Sequence, residues 1–213
     1  MHSALSLHLC DARGTLTAHA KWLTRTIEET HARVAPRLSL GPVDVVVRAA
    51  RDVIPQKGHV GHAPGPGVIL VTVDPDTPAL ERNTAQSFER MLAHEMHHAA
   101  RWDGPGYGST LGAALVTEGL AGHFVEELYG LPLEPWETAV ADALLTHRET
   151  IRSLWDDAGY DHNEWFFGTG AYPQWLGYSA AYQLVARYFD EHPTATASAL
   201  AHAPTEHFRS ALM

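Results

Sequence analysis

His94, Glu95 and His98 stand in the run His94-Glu95-Met96-His97-His98, an H-E-x-x-H sequence. On an α-helix, residues four apart lie one turn above each other, so the imidazoles of His94 and His98 point the same way. Two ring nitrogens held like that reach one Zn²⁺ at about 2.0–2.1 Å. Glu95 follows His94 by about 100° of helix rotation. It stands off the imidazole pair yet close enough to act as a base on a water beside them.

A third ligand is sought further along. Leu111, Leu115, Glu118, Gly122, Val125 and Tyr129 recur at steps of four and three, which places them on one helix face with Glu118 in its middle. A carboxylate centred on an apolar stripe must be paired or bound to a metal. Pairing with a buried Arg or His is the alternative to ligation. The small residues Gly119, Ala121 and Gly122 let this helix approach a neighbour closely. Between His98 and Glu118 the chain is long enough to turn through Asp103–Gly108 and return antiparallel. Glu118 then completes a His, His, Glu set with a fourth position open.

These residues need elements to hold them. Asn83 or Thr84 can cap the motif helix, with Gln86 as the capping-box partner of Asn83, and Phe88, Leu92, Met96 and Ala99 form its apolar stripe. The spacing of Leu16, Leu23, Ile27 and Val34 predicts a helix over 15–34. Two Val-rich runs, Val43–Ala49 and Val68–Val73, read as strands, and the Pro, Gly and His residues of Ile54–Gly67 as a loop between them. Helices are expected at 84–101, 110–129, 135–157 and 173–190, with two short pieces after Pro193 and Pro204. The breaks are short, so 1–213 is expected to form one α+β domain, mostly helical, with a small N-terminal β-sheet against the motif helix.

Composition narrows the function. The 213 residues carry 15 Lys and Arg against 25 Asp and Glu, a formal net charge of −10, which disfavours nucleic acid as a partner. No apolar run approaches a membrane span, and Met1–Cys10 lacks a basic n-region and a continuous apolar stretch. The single cysteine, Cys10, excludes an internal disulfide and a multi-cysteine zinc knuckle. A soluble cytoplasmic protein is expected, its oligomeric state open.

The segments HEMHHAARW, GAALVTEGLAGHFVEELYG and WFFGTGAYPQWLGYSAAYQLVARYF resemble a bacterial family of predicted zinc-dependent proteases, the YjaZ-like family. The similarity covers roughly residues 68 to 190, and the ligand arrangement is that of glutamate-type, thermolysin-like zincins. The resemblance implies a zincin-like fold, zinc held by His94, His98 and Glu118, and a catalytic Glu95. In one respect the chain departs: thermolysin-like enzymes place an Asp four residues after the ligand Glu, where Gly122 stands here. Other zincin types fit less well. The metzincin third ligand would fall on Gly104, Cys10 lacks a deformylase motif, and no G-x-M-E-N segment of the aminopeptidases precedes the motif.

The expected reaction is peptide hydrolysis: Glu95 moves the proton of a zinc-bound water, and a further donor supports the oxyanion. Tyr178, on a stripe with Trp175, Tyr182, Val185 and Phe189, is the candidate donor, and plain core packing is its alternative. Val68–Val73 is expected to be the sheet edge that holds an extended peptide. His97, His123 and His147 are expected to be structural, and His59 and His62 solvated. Competing readings are a zinc hydrolase of a non-peptide amide, a non-catalytic zinc-binding module, and a di-iron helical protein built on the pairs Glu95–His98 and Glu28–His31.

Overall fold

The computed structural model describes residues 4–213. The chain divides into two compact units, one ending at Asp103 and the other spanning Gly104–Met213. Both together are α+β, with the strands confined to the first.

In the first unit, β1 (Leu5–Leu9) is followed by α1 (Ala20–Val34), β2 (Val43–Ala49), β3 (His59–Gly65), β4 (Val68–Val73), α2 (Pro78–Arg82) and α3 (Ser87–Trp102). The sheet order is β1-β2-β4-β3. β1, β2 and β4 run parallel, and β3 lies antiparallel to β4 at one edge. In β2 the residues Val43, Val45 and Val47 are buried while Asp44 and Arg48 are exposed, the alternation of a sheet with one covered face. α3 packs on β3, β4 and α1. The small sheet against the motif helix is therefore present.

Four features of this unit differ from the sequence expectations. Leu5–Leu9 is a strand: its alternating leucines pair in parallel with β2. α1 begins at Ala20 and not near residue 15, because the carboxylate of Asp11 accepts from Leu16 N at 2.7 Å and from Thr17 Oγ1 at 2.6 Å, holding that stretch as a turn. The segment expected to be a loop contains β3. Its Pro64 falls where the register against β4 shifts, between His62 and Gly65. An edge strand tolerates proline at such an irregularity, because the missing N–H has no ladder bond to make. β4, expected at the edge, lies inside the sheet between β2 and β3.

The second unit holds α4 (Leu111–Tyr129), α5 (Ala143–Leu154) and α6 (Leu176–Glu191), with short 3₁₀ segments at Pro135–Glu137 and Thr205–Leu212 and a π-type turn at Asn163–Phe167. α4 is buried along nearly its whole length and packs most closely on α6. The approach depends on the absence of a side chain: a Cβ at Gly119 would lie 2.3 Å from the carbonyl oxygen of Ala181. The helix expected over 135–157 is broken. Side chains of α6 take over its backbone groups, with Val140 N donating to Ser179 Oγ at 3.1 Å and Leu144 N to Gln183 Oε1 at 2.8 Å. Gln183 Nε2 donates in turn to the Val140 carbonyl at 3.1 Å.

Candidate metal centre

α3 starts where Asn83 grips it. Asn83 Oδ1 accepts from Phe88 N at 2.9 Å, and its Nδ2 donates to Glu89 Oε2 at 2.7 Å. The expected partner Gln86 plays no part in this cap; it is itself held at a positive φ of 57°. Two turns on, the His94 and His98 rings meet edge to face, 4.5 Å between centroids and 87° apart. His94 is half-buried and His98 buried, as one-turn spacing on a packed helix dictates.

Glu95 is buried, and its Oε2 accepts no hydrogen bond. β3 supplies its setting. A Cβ at Gly61 would lie 2.4 Å from Met91 Sδ and 2.6 Å from Glu95 Cγ, so only glycine leaves space for these side chains against the strand. Alternate residues of β3 follow α3 along its length. His59 Nε2 meets Ser87 Oγ at 2.9 Å and its ring stands edge-on to Phe88, while the Ala63 carbonyl accepts from Trp102 Nε1 at 2.9 Å. His59, expected in solvent, is thus fully buried, and burial with the nearby Lys57 charge pushes its pKa down to about 3. His62 is exposed as expected.

In the second unit Glu118 is buried on α4, and Tyr107 OH donates to its Oε1 at 2.7 Å. Burial, then the charge of Glu118, hold the Tyr107 phenol well above its ordinary pKa. Tyr160 also feels Glu118: burial first, and then that charge, push it up to about 12. Tyr160 OH lies 3.2 Å from His162 Nδ1, and the His162 ring stacks on Phe166 at 4.3 Å. Burial lowers the His162 pKa, opposed by Glu118 and Asp161. Tyr178 is half-buried beside Trp136, Phe166 and Phe167, and it also acts electrostatically on Tyr107. Tyr107, Tyr160 and His162 were not singled out by spacing. Only the flanking Gly106 and Gly108, both at positive φ, mark Tyr107 in the sequence as a deliberately placed residue.

One ligand atom from each of His94, His98 and Glu118 lies within 4.8 Å of the other two. Two imidazoles and one carboxylate are a borderline-soft nitrogen and oxygen set, which suits Zn²⁺. The buried, unbonded Glu95 oxygen beside the histidine pair fits a site that handles a further polar species.

The acid missing at position 122 has a spatial counterpart. A Cβ at Gly122 would lie 2.5 Å from Glu137 Oε1, so the carboxylate of Glu137, which is buried, occupies the space an acidic side chain at 122 would take. The remaining histidines pack. His97 is fully buried, and His147 is half-buried against Tyr172. His123 stacks on Tyr182 at 3.9 Å and reaches its carbonyl at 2.9 Å, pinning α4 to α6.

A family model described as "Predicted Zn-dependent protease (DUF2268)" matches residues 17–209 of the chain. No curated protein matches it.

Proposed function

Since the chain belongs to the DUF2268 family of predicted Zn-dependent proteases, we propose that it is a zinc metallopeptidase cutting within peptides or proteins. The observation that carries this reading is the convergence of His94, His98 and Glu118, three ligand atoms within 4.8 Å, next in sequence to a buried glutamate. In this reading His94, His98 and Glu118 hold the metal. Zinc, when bound, polarises a carbonyl and brings the pKa of water from 15.7 toward about 7.

Glu95 does the proton work. Its Oε2 takes a proton from the attacking water and delivers it to the leaving amine, a role supported by its burial without a hydrogen-bond partner. Strand β3 is the proposed peptide rail: it is the sheet edge beside α3, and an extended chain can add to its open side by main-chain hydrogen bonds. Tyr178 remains the proposed oxyanion donor from its helix position. Tyr160 is a second candidate, favoured by one observation: it responds directly to the Glu118 charge, and a pKa of about 12 keeps its phenol a donor.

One domain over 1–213 is proposed because a single family model runs through both units. No helix among the described residues is long and apolar enough to cross a membrane. The cytoplasm is the compartment proposed, on the acidic composition and the single cysteine. Elemental analysis and a peptide-library digest test the reading together. It requires about one zinc per chain and cleavage that stops with chelator and returns with Zn²⁺. A zinc-loaded protein that cuts no peptide would instead be a binding module or a hydrolase of another amide.

A further inference from the structure

We propose that Tyr107 is the positioning residue of the third metal ligand, holding the Glu118 carboxylate in the orientation in which it receives the metal through a single oxygen. This deepens the zinc-site reading and rests on it.

The loop before α4 is built around this one side chain. Gly106 and Gly108 flank Tyr107 at φ of 74° and 82°, a backbone region that favours glycine. A Cβ at Gly108 would lie 2.3 Å from the Ala113 Cβ, so the loop presses onto the first turn of α4. Thr110 accepts from Ala113 N at 3.2 Å and caps that turn. One turn further, the fully buried Thr117 donates from Oγ1 to the Tyr107 carbonyl at 3.2 Å. Tyr107 is therefore tied to α4 by its own backbone, beside the residue that precedes Glu118. Its hydroxyl completes the loop by donating to Glu118 Oε1 at 2.7 Å.

A carboxylate on a flexible stem can rotate and offer either oxygen. A fixed donor on Oε1 removes that freedom and assigns Oε1 to the phenol, so the metal is taken by the other oxygen. Such outer contacts typically change metal affinity by about 10–100-fold. The phenol, spent on Glu118, acts through the ligand and not on substrate, so Tyr107 is not a catalytic residue.

The test is zinc affinity, measured by competition with a chromogenic chelator, on the unmutated protein, Tyr107→Phe, Thr117→Val and Glu118→Ala. Tyr107→Phe is expected to weaken zinc by about 10–100-fold and to alter the visible spectrum of the cobalt-substituted protein. Thr117→Val is expected to give a smaller weakening in the same direction. If Tyr107→Phe binds zinc within twofold of the parent, the proposal fails, even where its melting temperature falls, since that would mark a purely structural phenol. Glu118→Ala separates the two levels. Unchanged affinity there removes Glu118 from the site and the proposal with it, whereas lost affinity beside a normal Tyr107→Phe removes only the proposal. Should Tyr107→Phe not fold, X-ray absorption on the unmutated zinc form decides: one carboxylate oxygen at about 2.0–2.2 Å supports it, and two equivalent oxygens overturn it.

Discussion

α3 and α4 each carry candidate metal ligands, and they are built in opposite ways. α3 is an amphipathic helix lying on strands, and its candidate ligands His94 and His98 are matched by a single turn of rotation. α4 is buried almost all round, and its buried Glu118 is set by residues outside the helix: Tyr107 bonds it, and Tyr160 and His162 feel its charge. A ligand pair defined by helix pitch needs only a helix. A lone acid in an apolar helix needs a built environment, because burying its charge without partners is costly.

The contrast predicts that chemistry on α3 separates cleanly from folding. Glu95→Gln should lower turnover by about 10²–10⁴-fold with zinc content and melting temperature unchanged. Hydrolysis at the parent rate would remove Glu95 from its role. Gly61→Ala acts on the same carboxylate from the strand side. The added methyl meets Met91 Sδ and the Glu95 stem at Cγ, which must shift to admit it, so stability should fall modestly while turnover drops by about 10²-fold. A variant that keeps full activity would show that β3 does not position Glu95.

His59 gives the first unit a pH signature. Neutral in the folded protein down to about pH 3, it takes up its proton near pH 6.5 when unfolded. As pH falls through that window the unfolded chain binds more protons, so stability is present above about 6.5 and lost toward 3. The slope should reach about 1.4 kcal/mol per pH unit, and buried His31, shifted the same way, adds to it. Denaturation midpoints across pH 4–7 should flatten in His59→Asn, and an unchanged profile would show that the slope arises elsewhere.

On α4 the cost should instead fall on the fold. Gly119→Ala drives a methyl into the Ala181 carbonyl of α6, a backbone contact that cannot turn aside, and should destabilise by about 1–3 kcal/mol. Urea denaturation measures it. Smallest of all, removing the caps with Asn83→Ala or Thr110→Ala should cost about 1 kcal/mol each. The first should leave zinc affinity unaltered. The second, which loosens the turn beside Tyr107, should weaken it slightly.

How much was legible follows the same division. α3, α4 and α6 stand close to their expected bounds because apolar spacing and capping residues are local signals. The His94, His98 and Glu118 cluster was expected from helix faces alone, and its three ligand atoms are near one another. β3 was illegible: its Gly and Pro content reads as loop, and its strand character comes from β4 beside it and α3 along it. The break at 138–142 was hidden for a similar reason, since Ser179 and Gln183 lie far along the chain.

The order of residues alone determined that the imidazoles of His94 and His98 point the same way, because helical pitch turns a spacing of four into a common direction. Tertiary structure decided what surrounds them. Gly61 gives Glu95 its space, Tyr107 binds one Glu118 oxygen, and Glu137 fills the space over Gly122. Each of those contacts joins segments that no periodic pattern connects. They exist only once burial makes an unpaired carboxylate costly and close packing leaves room for one neighbour.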